Sequence, residues 1–135
     1  MQYVVAYAAS AVVFLGLDLV WLGLIARSFY VRQLGNLLRD SPSLTVAALF
    51  YAFYVGGFVL FAISPALQSQ SWRTALVLGL LLGLLAYGTY DMTNLATLRR
   101  GPLALALVDM TWGSLLTGLA ATAGYWAVRL SAAAD

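Results

Sequence analysis

Three aspartates, Asp18, Asp91 and Asp109, lie inside apolar stretches of the sequence, where a charged side chain is costly. An ionised carboxylate at the centre of a membrane-spanning helix costs about 3 kcal/mol or more, so a chain keeps one there only with a partner or a function. Each aspartate is eight or nine residues, or about 12–14 Å along a helix, from an arginine at the end of its stretch; the pairs are Asp18 with Arg27, Asp91 with Arg99, and Asp109 with Arg100. If these arginines mark one face of the membrane, the three carboxylates share one depth. This plane is the predicted site.

The residue types of the chain limit the chemistry that this plane can support. The sequence contains no cysteine, histidine, lysine or glutamate. Disulfides, thiolate and imidazole metal ligands, Schiff bases and phosphate-binding loops of the P-loop type are therefore excluded. The residues that remain for binding or proton transfer are aspartate, arginine, tyrosine, serine, threonine and asparagine.

The composition identifies an integral membrane protein. Of the 135 residues, 63% are hydrophobic and 9% are charged, whereas about a quarter of a soluble domain is charged. Four apolar runs each exceed the roughly 20 residues that cross a bilayer core; they cover residues 2–25, 44–66, 74–97 and 102–128. We therefore predict an all-α fold, a four-helix transmembrane bundle that forms a single membrane domain over residues 1–135.

One sizeable segment lies outside these runs, at residues 26–41. Its apolar side chains, among them Phe29, Tyr30 and Leu34, can share one helical face while its arginines lie elsewhere. Such a pattern is typical of an amphipathic helix that lies in the membrane interface. We expect a short interfacial helix between the first and second spanning helices.

Helical spacing indicates which side chains face the three aspartates. Glycines at positions 79 and 83 precede Asp91 on one stripe of the third helix, and small residues follow Asp109 on the fourth. Small residues let membrane helices approach closely, so the packed seam and the polar site are expected to coincide. The predicted ligand- or ion-binding residues are Asp18, Asp91, Asp109, Asn94, Tyr51, Tyr87, Tyr90, Trp21 and Trp112.

The distribution of arginines predicts the orientation in the membrane. Five arginines lie in the connections after the first and third helices, and two lie on the opposite side. Because cytoplasmic loops carry the excess of basic residues, both termini are expected to be extracytoplasmic. The aspartate plane then lies in the cytoplasmic half of the bilayer.

Three segments, FLGLDLVWLG, YGTYDMTNLATL and LVDMTWG, contain the aspartates with their neighbouring tryptophans, asparagine and glycines. With them the chain resembles the bacterial membrane proteins grouped as domain of unknown function 2177. The resemblance covers essentially the whole chain. It implies a small polytopic protein of the bacterial plasma (inner) membrane, and it supplies no activity, substrate or catalytic residue.

Three classes of function are compatible with these residues. In the working hypothesis, the aspartates with Asn94 and the tyrosines bind or pass a proton, a small cation or a polar solute. Like charges at one depth cannot all stay ionised without a cation, so at least one aspartate is expected to be protonated at neutral pH. In the second class, the aspartates only fix helix packing in a structural or accessory subunit. The third class is a membrane-embedded lipid-modifying enzyme with Mg²⁺ held by carboxylates, which the absence of a DDxxD-like cluster disfavours.

The sequence also limits the partners. The lipid bilayer is the expected environment, and the small-residue faces suggest a homo-oligomer or a membrane partner. No catalytic residue, no cofactor and no nucleic-acid partner is predicted, and the identity of any bound metal is left open.

Overall fold

The computed structural model of the chain describes residues 1–25, 27–34, 44–97 and 103–134, and 97% of this part is helical. The second half of the predicted connector, residues 35–41, lies outside the described residues, as do Arg39, Arg99 and Arg100. Six α-helices are described: α1 (Gln2–Val20), α2 (Arg27–Leu34), α3 (Leu44–Phe58), α4 (Ser64–Ser69), α5 (Trp72–Thr97) and α6 (Leu103–Ala134). Two five-residue π-helical segments are also described. Trp21–Ile25 extends α1, and Val59–Ile63 joins α3 to α4.

Four of the described segments are long and apolar enough to cross a membrane: Gln2–Leu24, Thr45–Ser69, Trp72–Thr97 and Leu103–Ala133. The predicted all-α architecture with four spanning helices is confirmed. Within the described part of the chain no strand occurs. Helix α2 lies between the first and second spans, where the sequence predicts the interfacial helix; its position at a membrane surface stays a prediction.

The second span continues past Pro65 to Ser69, beyond the expected end near residue 66. A proline ring clashes with the carbonyl group four residues earlier and removes one helical hydrogen bond. The π-helical segment Val59–Ile63 ends two positions before Pro65, and such widened turns accommodate this disruption. The span ends where Gln70 adopts the left-handed conformation, at φ 55° and ψ 41°, so the chain reverses tightly into α5.

Helices α5 and α6 make the most extensive contact among the described elements, and α1 also packs on α6. Small residues allow this approach. A Cβ atom on Gly79 would lie 2.8 Å from the Gly118 Cα, and one on Gly83 would lie 2.5 Å from the Gly113 carbonyl oxygen. The small-residue faces that suggested an oligomer are thus packed against each other within one chain.

The bundle is less closed along α3. The π-helical segment Val59–Ile63 packs on both α5 and α6, whereas the preceding helix α3 packs on α1 and diverges from α5. Three buried aromatic side chains, Phe14, Tyr54 and Phe58, fill the centre of the bundle beside this opening. The divergence creates the cleft described below.

Candidate functional site

Asp18 is buried near the end of α1, with 7% of its surface exposed. The Tyr51 hydroxyl donates a hydrogen bond to its Oδ2 over 3.3 Å, and the Trp112 indole N–H donates to its Oδ1 over 3.2 Å. These donors come from the second and fourth spans, so the carboxylate connects three spanning helices. Two donors, one on each oxygen, suit an ionised carboxylate.

The two tryptophans that the sequence placed beside aspartates meet each other. The Trp21 and Trp112 rings are stacked, with centroids 4.6 Å apart and planes 12° apart. Both line a groove of about 320 Å³ on the surface between α1 and α6, together with apolar side chains such as Leu107 and Leu115. The stack holds the Trp112 indole beside Asp18, and both rings stay partly exposed in the groove.

Asp91 and Asp109 face each other across the α5–α6 seam, and their carboxyl groups are in hydrogen-bonding contact. Asp91 is buried, with 7% of its surface exposed, and its Oδ2 meets no hydrogen-bond donor group among the described residues. Ionised carboxylates have only acceptor atoms, so a hydrogen bond between two of them requires a proton on one. A proton held between Asp91 and Asp109 would supply the missing donor.

Asp109 is the aspartate that lies near both of the others. It contacts Asp91, and its charge is near enough to interact with Asp18. Asp18 itself is held by Tyr51 and Trp112 rather than by the other carboxyl groups. In the part of the chain that the structure describes, no group of three acidic residues is arranged to hold a metal ion. The three aspartates therefore occupy one region as an acidic pair and a separate, donor-satisfied carboxylate.

A cleft of about 440 Å³ opens where α3 diverges from α5, with Asp109 in its wall. Aromatic rings make up much of the surface of the cleft. Tyr51 lines it from α3, and Tyr90 lines its edge from α5, where 67% of the surface of Tyr90 is exposed. Among the described residues, the lining consists of Val46, Ala47, Phe50, Tyr51, Tyr54, Ala86, Tyr87, Tyr90 and Asp109. This volume lies within the range of small-molecule sites, about 300–1,000 Å³.

Two contacts fix the inner wall of the cleft. The Tyr54 hydroxyl and Thr117 Oγ1 form a buried hydrogen bond of 2.7 Å between α3 and α6. The Tyr87 ring lies against Gly113, where any Cβ atom would overlap it. Tyr54 and Tyr87 then meet edge to face, with ring centroids 6.3 Å apart. These rings are held by packing rather than free to rotate away.

The structure brings most of the predicted site residues together. Tyr51, Tyr87 and Tyr90 line the cleft with Asp109. Asn94 lies partly buried on α5, one turn beyond Asp91, and is not part of the cleft wall.

Phe50 was not among the predicted site residues, yet it lines the cleft and stacks on Tyr54 with planes 9° apart. The sequence did indicate this contact, because Phe50 and Tyr54 are four residues apart and such residues share one face of a helix. The hydrogen bond between Tyr54 and Thr117 was also not predicted from the sequence.

The fold and this site define a class of protein: a four-span helical membrane protein with an intramembrane carboxyl pair beside an aromatic cleft. The chain belongs to the family described as "Predicted membrane protein (DUF2177)", whose model matches residues 3–126. This confirms the resemblance carried by the three aspartate segments. No curated protein and no solved structure matches the chain.

Proposed function

We propose that this membrane protein binds an exchangeable proton between Asp91 and Asp109, and that this pair is the site through which it binds or passes a proton or a small cation. One observation carries the proposal: two carboxyl groups are in contact, and the buried Asp91 Oδ2 has no other donor within the described residues. Like charges in contact at low dielectric favour a state with one shared proton. A proton held in this way can be replaced by a cation.

Asp18 has a different role in this proposal. Because Tyr51 and Trp112 each donate to it, both of its oxygens have a donor without a shared proton or a metal. It lies near enough to Asp109 for the two side chains to interact electrostatically. The region therefore contains three carboxyl groups, which favours entry of a positive ion.

The two alternative functions, a structural role and a lipid-modifying enzyme, would each require a different arrangement of the aspartates. A purely structural role requires that the buried polar groups are satisfied by one another, and Asp91 Oδ2 does not meet that requirement without a proton. A lipid-modifying enzyme with carboxylate-held Mg²⁺ would need several converging acidic ligands. Among the residues described, the acidic side chains do not converge in that way.

A paired measurement of proton binding and stability tests the proposal. The parent, Asp91→Asn and Asp109→Asn are purified in detergent and titrated with a pH indicator, and their melting temperatures are recorded. Thr89→Val, which removes an exposed hydroxyl from α5 outside the cleft, is the control. We expect the parent and the control to retain a proton at neutral pH that neither aspartate variant retains, with all four chains folded.

The same data separate the alternatives. If both aspartate variants unfold easily and the parent binds no additional proton at neutral pH, the structural role is correct and the proposal is wrong. Turnover of phospholipid by the parent, lost in both variants, would instead establish the enzyme.

The cellular setting is part of the proposal. We infer a bacterial plasma membrane location with both termini extracytoplasmic, supported by the arginine count. Lipid contact follows from the four apolar spans. The small-residue face of α5 is not available to form a homo-oligomer, because Gly79 and Gly83 already pack against α6 within the chain.

A further inference from the structure

The cleft between α3 and α5 has a composition that favours one kind of ligand. Among the described residues, its wall contains five aromatic side chains, a single carboxyl group and no basic residue. An anion next to these residues would meet a carboxyl group and no positive charge, so it is disfavoured. A neutral apolar molecule would displace water from Asp109 without offering a charge or a hydrogen bond, which is costly for a polar group.

We propose that the cleft binds a monovalent organic cation, an ammonium group attached to an apolar body, with the ammonium group between the aromatic rings and Asp109. Tyrosine and phenylalanine rings attract cations over their faces, most strongly where water is excluded. Phe50 and Tyr54 are stacked, and Tyr87 meets Tyr54 edge to face. Rings from both α3 and α5 therefore line the cleft together with the carboxyl group.

This inference rests on the proposed function, because the cation and the shared proton act on the same carboxyl pair. A positive charge next to Asp109 favours full ionisation of Asp91 and Asp109. Binding of the cation therefore releases the shared proton, and protonation of the pair expels the cation. Each species lowers the affinity for the other by the same factor, since the coupling of two binding equilibria is reciprocal.

Binding is tested with benzyltrimethylammonium and its uncharged carbon isostere, neopentylbenzene. The protein is held in dodecyl maltoside, a detergent without an ammonium group, and calorimetric titrations of empty micelles are subtracted. We expect saturable binding of the cation to the parent and at least about tenfold weaker binding of the isostere. Equal binding of both probes, or no saturable binding of the cation, would overturn the inference.

Variants separate the cation site from general hydrophobic binding. We expect Asp109→Asn to weaken cation binding by at least about tenfold, and Tyr90→Leu by several-fold, because each removes part of the electrostatic attraction. Tyr90→Phe retains the ring face and should bind like the parent. Phe53→Leu is the matched control, since Phe53 is 80% exposed on α3 and does not line the cleft. An equal loss in Phe53→Leu and Tyr90→Leu would contradict the assignment.

Proton release distinguishes failure of this inference from failure of the proposed function. In weakly buffered solution the parent should release up to about one proton per cation bound. Proton retention by the pair without any cation binding would refute the inference alone. Cation binding without proton release would refute the shared proton.

The source of the ammonium group is tested in the same titration. Phosphatidylethanolamine is added, and a glycolipid with the same acyl chains serves as its control. We expect neither lipid to compete with benzyltrimethylammonium. Competition by phosphatidylethanolamine alone would assign the cleft to a lipid headgroup and overturn a free cation as its ligand.

Discussion

The ring of Tyr87 on α5 lies directly against Gly113 on α6, one turn beyond Asp109. Because glycine has no Cβ atom, the ring fills the space that a side chain would take. It is thereby fixed in the wall of the cleft, edge to face with Tyr54. The small residues of α6 thus shape the site as well as the helix packing.

Gly83→Ala should destabilise the bundle by about 1–3 kcal/mol, as overpacking does in closely packed cores. A Cβ atom there would lie 2.5 Å from the Gly113 carbonyl oxygen and 2.8 Å from the Ser114 Cα, and backbone atoms cannot rotate away. Gly57→Ala is the control, since no heavy atom lies within 4 Å of its Cβ position. The free energy of unfolding in detergent measures both, and equal values would contradict the described α5–α6 packing.

Trp112→Phe should lower the free energy of unfolding by about 1 kcal/mol, because Asp18 loses the indole N–H while an aromatic ring remains to face Trp21. Trp126→Phe, at an exposed tryptophan of the same helix, should have little effect. Chemical unfolding followed by circular dichroism compares them. If Trp112→Phe is as stable as Trp126→Phe, the hydrogen bond to Asp18 contributes nothing.

The hydroxyl groups of Tyr54 and Thr117 should be coupled. Their buried hydrogen bond measures 2.7 Å, so either Tyr54→Phe or Thr117→Val leaves a buried hydroxyl without its partner. The double variant should lose less stability than the sum of the two single variants, with a coupling energy of about 0.5–1.5 kcal/mol. A double-mutant cycle of unfolding free energies measures this value. Strict additivity would show that the two hydroxyls do not interact.

The proposed orientation predicts the outcome of fusions at the C-terminus. An alkaline phosphatase fusion should be active, and a fusion to a cytoplasmically folding fluorescent protein should be dark, because five arginines lie on the opposite face from the termini. The reverse pair of results would place the aspartates in the outer half of the bilayer. The geometry of the carboxyl pair would be unaffected.

The spanning helices could be predicted from the sequence because long apolar runs leave few other structures in a membrane. The proximity of Asp91 and Asp109 followed from their distances to Arg99 and Arg100, since antiparallel neighbours at equal depth meet. The cleft could not be predicted in this way. It depends on the divergence of α3 from α5, and this is a property of packing between elements.

The pattern of apolar residues also did not predict the effect of Pro65 on the second span. A proline near the end of an apolar run is typical of a helix end, yet the turn before it widens and the helix continues to Ser69. The hydrogen bond from Trp112 to Asp18 could not be predicted either, because the two residues are 94 positions apart in the sequence. In the sequence, Trp112 is a neighbour of Asp109 and not of Asp18.

The shared proton between Asp91 and Asp109 is the central claim, and infrared spectroscopy tests it directly. The chain is prepared with carbon-13 at the side-chain carboxyl groups of aspartate, so that a shifted carbonyl band identifies protonated aspartate. At neutral pH the parent should show this band, and both Asp91→Asn and Asp109→Asn should lose it. A parent spectrum without a protonated aspartate, or a band that persists in both variants, would contradict the account.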